Sequence, residues 1–255
     1  MFKIDVSPLQ PEAQSIVRQA AAIYLRHTAP WFIGLVAHGS ALKGGIIPGC
    51  SDVDLQLYLQ DSAFTPQGHL PLELGFTIHR DIAELDLKPF RYLQCYPLSS
   101  TLPEDYVGPI PGAHHLITGK LPVPEATAEQ LRASAEKALT ELDPSPAFII
   151  GSLIGPGGVR LSRRIRLLCT KVWPVLYQLL TMQRDNAIAV WCLPKDRAIQ
   201  LLPRNTALSQ SIRRFHQAAR TYYPAENSTK NAIAAIRSGF AFLEAAKAWW
   251  SEVSG

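Results

Sequence analysis

Residues 38–55, HGSALKGGIIPGCSDVDL, hold the residue types from which a phosphate-and-cation site can be built. Gly39-Ser40 ends an almost continuous apolar run, WFIGLVAHGS, and ten residues later comes Ser51-Asp52-Val53-Asp54. Carboxylates at i and i+2 of a strand lie on one face, roughly 7 Å apart along the chain at ~3.3 Å per residue. Such a pair suits hard, oxygen-preferring divalent cations such as Mg²⁺ that also bind phosphate oxygens. A glycine lets the backbone approach a phosphate closely, while backbone N–H groups and the Ser40 hydroxyl can donate hydrogen bonds to it. A surface hairpin showing acids to solvent uses the same residue types. The combined spacing, set between two strand signals, favours a triphosphate–metal cradle.

Those residues need elements to position them. Pro11–Arg26 carries Ile16, Ala20, Ile23 and Tyr24 at helical spacing, which predicts an amphipathic helix. Residues 31–40 have the length and apolarity of a strand. In SDVDLQLYLQ, Val53, Leu55, Leu57 and Leu59 alternate with Asp52, Asp54, Gln56 and Tyr58, the clearest strand in the chain. Residues 69–83 read as a helix or a helix–strand transition. IAELDLKPFRYLQCYPL reads as one strand interrupted at Pro89, or two short ones. Prolines at 97, 103, 109, 111, 122 and 124 make 97–124 a loop-rich boundary, with a domain change near 123. The expected division is therefore 1–122 and 123–255. Beyond it, helices are expected after Pro124 over ATAEQLRASAEKALTEL, over Arg160–Met182, and over about 184–192, 206–222 and 227–252, the last capped by Asn227 or Ser228.

The strand, Gly-Ser, ten-residue loop and Ser-Asp-x-Asp resemble the DNA polymerase β nucleotidyltransferase superfamily. Within it the chain is most similar to the streptomycin/spectinomycin adenylyltransferases, which share a short loop with Gly-Gly in its middle and Pro before Ser-Asp. Here these are Gly44, Gly45, Pro48, Ser51 and Asp52. The likeness extends to Lys171-Val172-Trp173 and, thirteen residues after Lys171, to Arg184-Asp185. The resemblance implies an α/β (α+β) domain with a small mixed sheet, followed by an all-α helical bundle. It implies Mg²⁺-dependent transfer of a nucleoside monophosphate, foremost AMP from ATP, to a hydroxyl acceptor with release of pyrophosphate.

On that resemblance Asp52 and Asp54 hold the metal, with two Mg²⁺ ions expected. Gly39, Ser40, Ser51, Lys171 and Arg184 position the triphosphate. The family also uses a carboxylate on a neighbouring strand as metal ligand or general base. Glu84 and Asp86, in Ile82-Ala-Glu-Leu-Asp-Leu87, are the candidates. Glu84-Leu85-Asp86-Leu87 meets the family's acidic–apolar–x–apolar pattern, whereas Asp86 stays on the strand even if the preceding helix runs to residue 84. Asp52, Asp54 and Asp86 then form the expected metal set. The alternative reading is a nucleotide-binding regulatory or antitoxin-type module that adenylylates a partner protein.

At 255 residues with 47% apolar and 18% charged side chains, the chain can bury a real core and is not of disordered or fibrous type. No apolar run reaches membrane-span length, and Met1–Gln14 lacks a signal-peptide pattern. The scattered Cys50, Cys95, Cys169 and Cys192 suit a reducing compartment, the cytoplasm. Residues 1–150 carry 10 Lys+Arg against 16 Asp+Glu, net −6, and residues 151–255 carry 15 against 5, net +10. This split favours a phosphate-bearing ligand and an acceptor other than a polycation: a small molecule, a protein hydroxyl or an RNA. No obligate nucleic-acid site is evident. His114-His115 read as solvated loop residues, Gly155–Gly158 as a turn, and Trp249-Trp250 as an anchor for the last helix.

Overall fold

The computed structural model describes residues 3–99, 101–103, 106–154, 158–225 and 228–254. The chain divides into two compact units, Met1–Ile46 with Ser51–Ala126, and Ile47–Cys50 with Thr127–Gly255.

The first unit opens with α1 (Pro11–Thr28), whose proline occupies the first turn, where its missing N–H costs nothing. Ala13, Ile16, Val17, Ala20, Ala21 and Tyr24 form its buried stripe. β1 (Phe32–His38), the single turn α2 (Ser40–Lys43), β2 (Val53–Leu59), α3 (Leu72–Ile82), β3 (Leu93–Ser99) and β4 (His114–Gly119) follow. Among the described residues the sheet has four strands in the order β3-β2-β1-β4. β1 runs antiparallel to β2 and β4, and β2 runs parallel to β3. The parallel pair needs a crossover between its strands, and α3 lies in that connection.

The alternation of β2 is realised. Val53, Leu55, Leu57 and Leu59 pack with Leu35, Ala37 and Ile117 into the core that α1 covers. Asp54, Gln56 and Tyr58 therefore take the opposite face. Tyr58 is fully buried there; its hydroxyl donates to Gln56 Oε1 at 2.9 Å and shares a hydrogen bond with the Tyr106 hydroxyl at 3.2 Å.

Two expectations need correction. Residues 82–87 are not a strand: α3 ends at Ile82, and the backbone donors beyond it are used in local turns. Ala83 N–H bonds His79 O, Leu85 N–H bonds Ile82 O, and Phe90 N–H bonds Leu87 O. Only the half of that run beyond Pro89 becomes a strand, as β3. Residues 97–124 are not loop throughout, because His114–Gly119 pair with β1. His114 and His115 are thus half-buried strand residues, not solvated loop residues. Their rings bond the Ile110 and Asp5 carbonyls at 2.9 and 3.1 Å.

The second unit is helical: α4 (Ala128–Thr140), α5 (Ala147–Leu153), α6 (Gly158–Gln183), α7 (Ala187–Trp191), α8 (Lys195–Gln200), α9 (Ala207–Tyr222) and α10 (Thr229–Ser254). Side chains stop the orphan N–H groups at several helix starts. Thr127 and Gln130 make a reciprocal capping box on α4, and Asn186, Thr206 and Ser228 accept from Ala189, Ser209 and Asn231. Asn227, the other cap considered for the last helix, and Gly155–Gly157 lie outside the described residues.

α6 runs through the core of this unit, burying Ile165, Leu168, Val172, Leu176 and Leu179. α10 comes so close to it that a β-carbon on Gly239 would overlap the Leu168 side chain. Trp250 anchors α10, its Nε1 donating to Thr140 Oγ1 at 3.1 Å. Ile47 and Cys50 belong to this core, with Cys50 Sγ 3.9 Å from Cys169 Sγ as free thiols. Among the described residues no helix is long and apolar enough to cross a membrane.

Candidate functional site

The Gly39-Ser40 turn is made by a backbone that only glycine takes without strain. Gly39 has φ +73° and ψ −148° and precedes α2. A β-carbon there would overlap the Asp54 carboxylate oxygen and stand 3.4 Å from its carbon. The missing side chain therefore leaves room for the Asp54 carboxylate against the turn. Ser40 is buried, and its hydroxyl donates to the Asp52 carbonyl at 3.3 Å. That bond ties the turn to the segment that delivers both acids. Ser51 is buried as well, its carbonyl accepting from Arg91 N–H at 2.8 Å. Asp52 and Asp54 are half-buried at the head of β2.

Strand register determines what flanks Asp54. His38 on β1 lies directly opposite it and also opposite His114 on β4. His38 Nε2 is shut off from solvent and has no hydrogen-bond partner among the described residues. Burial, then the Lys43 charge, pull the His38 pKa down to about 4, with Asp52 opposing. The imidazole is neutral at physiological pH.

On the other side, Gln94 of β3 is the register partner of Asp54. Tyr92 donates from its hydroxyl to Gln94 Oε1 at 3.0 Å. Tyr96, two residues on and sharing the face, is 48% exposed. Its phenol pKa is raised by burial and by the negative charges of Asp54 and Asp52. His38, Gln94 and Tyr96 were not singled out from sequence. Gln94 and Tyr96 are neutral residues in a run whose pairing partner appears only once the strands are assembled.

The expected third carboxylate is not gathered here. Glu84 and Asp86 are exposed in the turns after α3, and Asp86 accepts from Lys88 N–H at 3.2 Å. Among the described residues no group of three or more His, Cys, Asp or Glu side chains comes together to hold a metal ion. Asp52 and Asp54 stand two residues apart at the head of β2, whereas Asp86 lies beyond α3 with its carboxylate on the Lys88 N–H.

In the helical unit, Lys171 is exposed on α6 and Trp173 is buried beside it, packed on Phe215 at 5.3 Å between ring centroids. Arg184 follows the end of α6, and its guanidinium donates to the Leu201 carbonyl at 2.6 Å. Thirteen residues of helix rise span about 20 Å, so Lys171, midway along α6, and Arg184, just past its C-terminal end, are well separated along the helix. Arg132 of α4 closes that end, donating to the carbonyls of Thr181, Arg184 and Asp185 at 3.0, 2.8 and 2.6 Å.

A Gly-Ser turn packed against an Asp-x-Asp strand thus lies in a small mixed sheet, and a helical unit follows along the chain. Among solved structures, spectinomycin adenyltransferase AAD(9) from Enterococcus faecialis, with ATP and spectinomycin, matches 90% of this chain and 98% of that one. The TM-score is 0.52 at 15% identity. CdnC from E. coli MS115-1, with ATP, aligns over 94% of each chain with a TM-score of 0.30 and 11% identity. The first likeness supports the same fold. Comparison with protein-family models finds no match, and comparison with curated protein sequences finds none.

Proposed function

We propose that this chain is a nucleotidyltransferase that takes Mg·ATP on the Asp52/Asp54 face and transfers AMP to a hydroxyl acceptor, releasing pyrophosphate. The observation that carries this reading is Gly39, held at φ +73° against Asp54, where any β-carbon would overlap the carboxylate. A solvated hairpin has no need of so close an approach. The donor set, two carboxylates on adjacent same-face positions, fits a hard divalent cation. Such a cation, when bound, neutralises phosphate charge and polarises the α-phosphorus toward attack.

The chain's own groups bind and orient. Asp52 and Asp54 hold the ion, and the backbone at Gly39-Ser40 approaches the phosphates. Ser40 braces the strand that carries Asp52. Lys171 is exposed on α6, and the Arg184 guanidinium donates to the Leu201 carbonyl. The acceptor must present a hydroxyl whose oxygen attacks phosphorus in line with the departing pyrophosphate. AAD(9), the structure of similar fold, was solved with ATP and spectinomycin; the net +10 of residues 151–255 favours a neutral or anionic acceptor here.

The test is thermal unfolding of the full chain with ATP, with and without Mg²⁺. Wild type should be stabilised by Mg·ATP, and the double variant Asp52→Asn/Asp54→Asn should fold but lose that shift. An equal Mg·ATP shift in the double variant would overturn the reading.

A further inference from the structure

We propose that the Asp52/Asp54 site takes a single divalent cation with its triphosphate, because its β3 edge is closed by the neutral amide of Gln94. The inference rests on the nucleotide-site reading above and deepens it. β2 and β3 are parallel and in register from Val53–Leu93 to Leu59–Ser99, so the β3 neighbour of Asp54 is Gln94. Adjacent strands lie about 4.8 Å apart, which makes this the sheet position from which a third ligand could join Asp54.

β3 reads Leu-Gln-Cys-Tyr-Pro-Leu-Ser and carries no acid. The Tyr92 hydroxyl donates to the amide oxygen of Gln94, so the β3 register partner of Asp54 is a neutral amide whose oxygen already accepts a hydrogen bond, not a carboxylate. Tyr96, next along the same face of β3, adds a phenol and not a carboxylate. The β1 flank of Asp54 is His38, an imidazole and not a carboxylate. Glu84 and Asp86 sit in turns, Asp86 engaged with the Lys88 backbone.

Two divalent ions held some 3.5–4 Å apart repel strongly and need protein anions to bridge and neutralise them. Asp52 and Asp54 supply two carboxylates, and β3 adds no third one to bridge a second ion. The β3 side instead offers hydrogen-bond donors, suited to an oxygen-rich, uncharged or anionic group.

Ion counting tests this without relying on turnover. Mn²⁺ bound to the full chain is titrated by electron paramagnetic resonance in the presence of a non-hydrolysable ATP analogue. Wild type should hold one Mn²⁺ per bound nucleotide, Gln94→Ala also one, and Gln94→Glu two. Two ions in wild type, or a folded Gln94→Glu that still binds one, would overturn the proposal. Failure of wild type to bind the analogue at all would instead defeat the nucleotide-site reading. If Gln94→Glu does not fold, the wild-type count alone decides.

Discussion

Gly39 and Asp54 are packed so that the space a β-carbon would need on the glycine is filled by the aspartate's carboxylate. The positive φ of Gly39 adds a second reason for glycine at this position. Gly39→Ala therefore imposes both backbone strain and a displaced Asp54. A loss of about 1–3 kcal/mol in unfolding free energy is expected from the strain, together with loss of the Mg·ATP thermal shift. Urea unfolding with and without Mg·ATP reads both. A variant with wild-type stability and wild-type nucleotide response would mean the turn is not part of the site.

Asp86 lies in an exposed turn, not on the sheet face of Asp54. Asp86→Asn and Glu84→Gln should each leave Mg·ATP stabilisation within the scatter of wild type, whereas Asp54→Asn abolishes it. Loss of the shift in either turn variant would bring the third carboxylate back to residues 84–86.

His38 gives stability a pH dependence of definite sign. Its folded pKa of about 4 lies below the value of about 6.5 expected in the unfolded chain. Between these values the unfolded chain binds the proton more readily. Stability is thus complete above about pH 6.5 and falls as pH drops toward 4, by about 2 kcal/mol at pH 5 for this group alone. His38→Phe removes that increment and also replaces a buried nitrogen that has no partner among the described residues with carbon. Its denaturation midpoint should change less than wild type's between pH 7.5 and pH 5. Parallel curves for the two proteins would show that His38 titrates normally.

Arg132 ties α4 to the carbonyls that end α6 through three hydrogen bonds. Hydrogen bonds from a charged donor contribute about 1.5–3 kcal/mol when shielded, less where solvent reaches them. Arg132→Ala should lower unfolding free energy by about 1–2 kcal/mol, while Mg·ATP still raises the melting temperature. An unchanged denaturation midpoint would count against this bracing role.

The charge split bears on the acceptor. Residues 151–255 contain only Asp185, Asp196, Glu226, Glu244 and Glu252 as acids against 15 Lys and Arg. A polycationic aminoglycoside needs carboxylates around its ammonium groups. Streptomycin should therefore be a poor acceptor, and expression in a sensitive bacterium should give no protection over empty vector. Protection that disappears with Asp52→Asn would restore the antibiotic as substrate.

Sequence alone determined the parts of this protein that depend on local pattern. Strict alternation in residues 53–59 places the leucines in the core and Asp54 opposite, because successive strand side chains point to opposite faces. Helical periodicity and capping residues mark α1, α4, α6, α9 and α10, because these forces act within a few residues. Only the tertiary structure decided what stands beside Asp54. β4 is a six-residue strand in a proline-rich stretch, and β3 begins four residues beyond Pro89. Neither declares its partner locally. Strand register is chosen by pairing across the sheet, between residues about forty apart for Asp54 and Gln94. That pairing put an amide, and not the acids of residues 84–86, next to Asp54.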